Sequence, residues 1–287
     1  MDWQGRRESD NVEDRRGAGM GRTAVVGGGV GTLVLALVVM FLGGDPRMVL
    51  NAQRVAAPTP APRAAGPVQE SAAESQQNHF IRVVLADTED VWNAVFREAG
   101  ATYREPKLVL FRDVSQSACG TAESAMGPFY CPADEKVYLD LGFFDELQNR
   151  LGAQGEFARA YVVAHEVGHH VQNLLGVSGR VHSAQQRTDK VRANALSVRL
   201  ELQADCLAGV WAARTQAQKN VLQAGDIESA MSAAAAVGDD RLQRSARGYV
   251  QPETFTHGSS EQRMQWFKRG LDAGQIKACD TFSAGGG

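Results

Sequence analysis

The chain has 287 residues, 44% apolar and 22% charged, enough for one sizeable core plus appendages, since compact domains typically hold about 100–200 residues. Its net charge of −3 supplies no basic field that would draw it to nucleic acid, which is excluded as the default partner. The four cysteines, Cys119, Cys131, Cys206 and Cys279, form no C-x-x-C pair, which argues against a cysteine zinc ribbon and a thioredoxin-like redox motif.

In chain order, residues 1–22 mix Arg6, Arg7, Glu8, Asp10, Glu13, Asp14, Arg15 and Arg16 with little apolar content, which predicts a disordered tail. Residues 23–44 carry no charge and crowd Leu33, Leu35, Leu37, Val38, Val39, Met40, Phe41 and Leu42 together. That is the length of a membrane-crossing helix of about 20 residues, longer than the apolar region of about 7–15 in a signal peptide. Arg15, Arg16 and Arg22 stand before it and only Arg47 and Arg54 follow closely, so the positive-inside rule places residues 1–22 in the cytoplasm and the rest outside. Residues 45–78, with Pro46, Pro58, Pro60, Pro62 and Pro67, read as a linker.

The folded domain is expected over residues 79–283. A helix capped by Asp87 or Thr88 would align Val91, Trp92, Val95, Phe96 and Ala99 on one face. Strands are predicted at 107–111 and 136–141, and helices at 142–151, 155–175, 194–214, 226–237 and 259–271. Strands early and helices late indicate an α+β fold. Cys119 and Cys131 flank a short Gly- and Pro-containing stretch and are the first disulfide expected. Cys206 either pairs with Cys279 or is a small buried hydrophobe.

His165-Glu166-Val167-Gly168-His169 matches H-E-x-x-H. On a helix, residues i and i+4 share a face, so both imidazoles can grip one Zn2+ while Glu166 serves as general base. The surrounding Tyr161, Val162, Val163, Ala164, Val167 and Val171 would make an unpartnered His-Glu-His cluster costly to bury. A catalytic zinc needs a third protein ligand. Gln172 and Leu175 stand where a metzincin would place its glycine and third histidine, so the ligand must come from elsewhere. Glu201 and Asp205, one turn apart in an apolar helix, fit as third ligand and as acceptor for a ligand histidine's free ring N–H. His170 points about 100° away and is not expected on the metal.

These residues resemble gluzincin peptidases, and more closely the bacterial neutral zinc metallopeptidase family. The similarity runs through WQGRRESDNVEDRRG (Trp3–Gly17), CGTAESAMGPFYCPADEKVYLDL (Cys119–Leu141), HEVGHH, GDDRLQ (Gly238–Gln243) and THGSSEQRMQWF (Thr256–Phe267). The resemblance implies a zincin-like fold with Zn2+ between two helices. His257 is similar in position to the histidine of a T-H-P segment in membrane gluzincins, although Gly258 replaces the proline, and would donate to the oxyanion. A capping-box neighbourhood at Ser259 and Gln262 is the alternative. Arg263 would meet a substrate carbonyl or carboxylate, or form a helix-surface ion pair. The strand at 136–141 would be the edge to which an extended substrate adds, with Tyr138 and Asp140 facing the cleft.

The expected activity is zinc-dependent hydrolysis of peptide bonds in a protein or peptide substrate, by an extracytoplasmic, membrane-held domain. An envelope scaffold or chaperone on a zinc fold, and a zinc amidase of cell-wall peptides, are the alternatives.

Overall fold

Ser71 opens the first long helix: its hydroxyl accepts from Glu74 N–H while the Glu74 carboxylate accepts from Ser71 N–H, a reciprocal cap that satisfies two otherwise orphaned donors. In the computed structural model, which describes residues 1–17, 70–124 and 127–283, this helix, α1, runs over Ala72–Glu98. The domain therefore begins earlier than residue 79. Asp87 and Thr88 are not caps but buried residues in mid-helix. The expected membrane helix at 23–44 lies outside the described residues, as does the linker up to residue 69. Among the described residues, no helix is long and apolar enough to cross a membrane.

Residues 1–14 correct the expectation of a disordered tail, because they belong to the same compact unit as 70–287. Strand β1 (Val12–Asp14) pairs in parallel with β2 (Lys107–Phe111), Val12 opposite Leu108 and Asp14 opposite Leu110. Trp3 is 8% exposed, packs edge-on against Phe80 at 5.4 Å and donates its indole N–H to Glu156 Oε1 at 2.9 Å. The charges that read as solvated find partners on α1: Arg6 pairs with Asp87, Arg7 with Glu89 (2.9 Å) and Asp90 (2.7 Å), and Asn11 donates to Glu89 (2.9 Å). The segment is polar because it complements an acidic stripe on that helix. Residues 15–69 form a separate unit, of which only 15–17 are described.

The remaining strands are β3 (Val114–Ser117) and β4 (Gly120–Glu123), which make a hairpin of their own, then β5 (Phe129–Cys131) and β6 (Lys136–Asp140). The main sheet has the order β1-β2-β6-β5, with β5 alone antiparallel to its neighbour. Helices follow: α2 (Gly142–Asn149), α3 (Glu156–Leu174), α4 (Val177–Gln185), α5 (Lys190–Lys219), α6 (Asp226–Ala236), α7 (Asp239–Arg247) and α8 (Ser260–Ala273). The fold is α+β.

The core lies where α1, α3, α5 and α8 bury Trp92, Phe157, Trp211 and Phe267. Phe157 and Trp211 stack at 5.7 Å, each aromatic contributing a large apolar area to the interior. Glycines set the helix spacing. A Cβ at Gly270 would collide with Cys206 O, and one at Gly168 would stand 3.0 Å from Ala204 O; α5 thus approaches both α8 and α3 with backbone against backbone. Disulfides join Cys119 to Cys131 and Cys206 to Cys279. The second fastens the C-terminal segment to α5.

Candidate metal centre

Helices α3 and α5 bring three ligand residues together. His165 and His169 lie one turn apart on α3, and Glu201 faces them from α5. Their ligand atoms lie within 4.8 Å of one another, with His165 Nε2 3.2 Å from Glu201 Oε2 and His169 Nε2 3.4 Å from Glu201 Oε1. Two imidazoles and a carboxylate are a donor set that suits Zn2+ and leaves a position open.

What stands behind each ligand fixes which nitrogen it offers. Asp205, fully buried, has Oδ1 2.8 Å from His165 Nδ1. Gln172, also fully buried, has Oε1 2.8 Å from His169 Nδ1. Both Nδ1 atoms are therefore tied, and both Nε2 atoms face Glu201, the arrangement by which outer partners orient metal ligands. Burial opposes charge on His165, but the Asp205 and Glu201 carboxylates outweigh it and push its pKa up to about 10. Burial likewise opposes charge on Glu201, yet the two histidines hold its carboxyl well below the usual range. The electrostatics of the site thus favour a cation between these groups.

Asp205 is itself clamped. Arg263 on α8 donates Nε to Oδ2 at 2.8 Å and Nη2 to Oδ1 at 2.9 Å, and the Tyr161 hydroxyl donates to Oδ1. Arg263 is only 3% exposed, so neither expected role, substrate binding or a surface ion pair, holds. Its charge is spent on a buried carboxylate. Glu166 is nearly buried, at 8% exposed, and among the described residues nothing donates a hydrogen bond to it, which leaves its oxygens free to take a proton.

The strand expected as an edge at 136–141 is not one. Strand β6 is interior, paired with β2 on one side and β5 on the other. Tyr138 is 1% exposed, stacks on Phe129 at 5.0 Å and donates its hydroxyl to Asp134 at 2.7 Å; it does not line a cleft. Asp140 accepts from the backbone N–H of Asp113 and Gly142. Beyond β6 the sheet ends in β5, which is bound to the metal helix through Tyr130: its Oη donates to His170 Nδ1 (2.9 Å) and accepts from Asn173 (3.1 Å), while His170 Nε2 donates to Arg104 O (2.6 Å) in the segment before β2. His170 is off the metal face, as its angle on the helix requires.

His257 stands half-exposed, with Nδ1 3.3 Å from Asp239 Oδ1. Asp239 also accepts the backbone N–H groups of Thr256, His257 and Gly258. The Asp239 contact raises the His257 pKa against the effect of burial, and Glu201 adds to the rise. Ser259 and Gln262 do form the expected capping box, so the cap and the histidine coexist. Sequence reasoning missed Gln172, Tyr161 and Asp239 as site residues. Gln172, three residues after a ligand on the same helix, and Asp239, within GDDRLQ, each carried a local signal.

The fold and the site define an α+β domain with an H-E-x-x-H helix and a carboxylate-bearing second helix. The whole of residues 1–282 matches the model of the family described as "Putative neutral zinc metallopeptidase". The chain belongs to this family, and its resident metal is accordingly Zn2+. It is 49% identical to "Uncharacterized protein YpfJ" of Escherichia coli strain K12, over 98% of this chain and 99% of the relative. It is 42% identical to "Uncharacterized protein Rv2575" of Mycobacterium tuberculosis strain H37Rv, over 85% of each. No solved structure matches.

Proposed function

We propose that the protein is a zinc endopeptidase that hydrolyses extended polypeptides, with Glu166 as its general base. The observation that carries this reading is the pairing of an oriented three-residue ligand set with a carboxylate, Glu166, that is buried beside it and spoken for by no hydrogen bond from the described residues. A purely structural zinc would need a closed shell and no such base. Zn2+ bound by His165, His169 and Glu201 supplies Lewis acidity toward a carbonyl oxygen and lowers the pKa of water.

The chain's own residues do the rest. Glu166 takes the proton of the attacking water and returns it to the leaving amine. His257, held by Asp239 and carrying a raised pKa, donates to the oxygen on which negative charge develops. The outer edge of β5, tied to α3 through Tyr130, offers backbone groups to an extended substrate, a sequence-tolerant mode of binding. The zincin-like character of the domain follows from this same reading.

Two disulfides support an oxidising, extracytoplasmic location, and the uncharged stretch 23–44 supports attachment to the membrane. The test is cleavage of an unstructured protein by the purified full chain. Zn2+-loaded protein should cut it, a chelator should stop the reaction and added Zn2+ restore it. Glu201→Ala should lose both metal and activity; full activity in Glu201→Ala would overturn the ligand assignment.

A further inference from the structure

We infer that Gln172 is a positioning residue that fixes both the tautomer of His169 and the spacing of the two ligand helices. This rests on the metal-site reading above. Gln172 Nε2 faces Leu200 O at 2.7 Å. A backbone carbonyl only accepts, so this end of the amide must be the NH2 group. The other end, Oε1, then faces His169 Nδ1 and can only accept, which places the ring proton on Nδ1 and the free lone pair on Nε2, toward Glu201.

The second N–H of the amide points to Gln203 Oε1 at 3.1 Å, and Gln203 Nε2 donates to Cys279 O at 2.8 Å, another carbonyl that fixes the orientation of its partner. Leu200 immediately precedes the ligand Glu201. One buried amide thus binds a ligand on α3, the backbone beside a ligand on α5, and through Gln203 the segment held by the Cys206–Cys279 bond. The two histidines are backed differently: His165 by a carboxylate neutralised by Arg263, His169 by a neutral amide.

Two measurements on the full chain test this. Competition with a chromophoric chelator should show Zn2+ bound about 10–100-fold more weakly by Gln172→Leu, the scale for losing an outer partner of a ligand. Ring 15N shifts of His169 in the Zn2+-loaded wild type should report a proton on Nδ1, a readout that survives even if the variant fails to fold. Wild-type affinity in a folded Gln172→Leu, or an Nε2-protonated ring in the loaded wild type, would overturn the assignment. A wild type that binds no Zn2+ would instead overturn the metal-site reading beneath it.

We infer that residues 1–14 occupy the same side of the membrane as the metal centre. Strand β1 is built into the main sheet, Leu108 N–H donates to Asn11 O at 2.8 Å, Ser9 N–H donates to Arg82 O at 3.0 Å, and Trp3 and Ser9 are buried against the domain. A single membrane crossing between residues 14 and 70 would put the two halves of this packing on opposite sides. The apolar run at 23–44 is one crossing long, about 20 residues, and too short for two. The arginine asymmetry therefore does not place residues 1–14 across the membrane from the domain they pack against.

Single cysteines at the exposed positions Asp10 and Arg187 (Asp10→Cys, Arg187→Cys) decide this, using a membrane-impermeant maleimide on intact and permeabilised cells. Both should label under the same condition. Labelling of Arg187→Cys in intact cells with Asp10→Cys reached only after permeabilisation, or the reverse, would overturn the inference. Labelling of both only after permeabilisation would uphold it while moving the whole domain to the cytoplasm.

Discussion

Arg263 and Asp205 form a two-pronged pair, at 2.8 and 2.9 Å, in which neither partner is more than 3% exposed, and Asp205 Oδ1 is also the atom that faces His165 Nδ1. A charge carried on α8 thus neutralises the carboxylate that orients a ligand on α3. Burial opposes charge on both groups, and each holds the other ionised: the Asp205 pKa is lowered and that of Arg263 raised.

Arg263→Met should therefore leave Asp205 buried and uncompensated. Breaking one side of such a pair costs about 3–5 kcal/mol, and denaturant unfolding of the metal-free protein should show a loss of that size. Arg263→Lys keeps the charge but not the fork, and should fall between the two. A wild-type midpoint in Arg263→Met would show that the pair contributes nothing.

The His257–Asp239 pair predicts the alkaline limb of activity. Its hydrogen bond to Asp239 raises the His257 pKa above the ordinary value of about 6.5. The donor is thus fully present below about 6.5 and is lost as pH rises through the raised folded value. Asp239→Asn removes the main cause of the rise, so the alkaline limb of kcat/KM should move to lower pH while Zn2+ content stays unchanged. An unmoved limb would remove His257 from the reaction.

Gly168 lies where α3 meets α5, with the position of its missing Cβ 3.0 Å from Ala204 O. Gly168→Ala should push the ligand helices apart, at a cost of about 1–3 kcal/mol for overpacking, and should weaken Zn2+ binding because His169 and Glu201 sit on the separated helices. Unfolding and chelator competition on the same preparation test both effects.

The metal centre was legible because its signals are local. His165 and His169, like Glu201 and Asp205, are spaced one helical turn apart, and their apolar neighbours made a solvated face implausible. The roles of Arg263 and Tyr138 were not legible, since each depends on a remote partner: Asp205 on another helix in one case, and in the other the three-residue strand β5 that turns β6 into an interior strand. The same holds for residues 1–14. Arg6 and Arg7 meet Asp87, Glu89 and Asp90 some 80 positions away, a distance over which composition carries no information. Charge that looks solvated in a sequence is indistinguishable from charge awaiting a distant complement.

The general-base assignment is tested most directly by Glu166→Gln, assayed for bound Zn2+ and for cleavage of an unstructured protein in the same preparation. Glu166 is not among the ligand residues, so the variant should hold wild-type Zn2+ while cleaving at least about a hundredfold more slowly, the scale of general-base catalysis. Undiminished cleavage by a fully metallated Glu166→Gln, or a Zn2+-loaded wild type that cuts no unfolded polypeptide, would contradict the account.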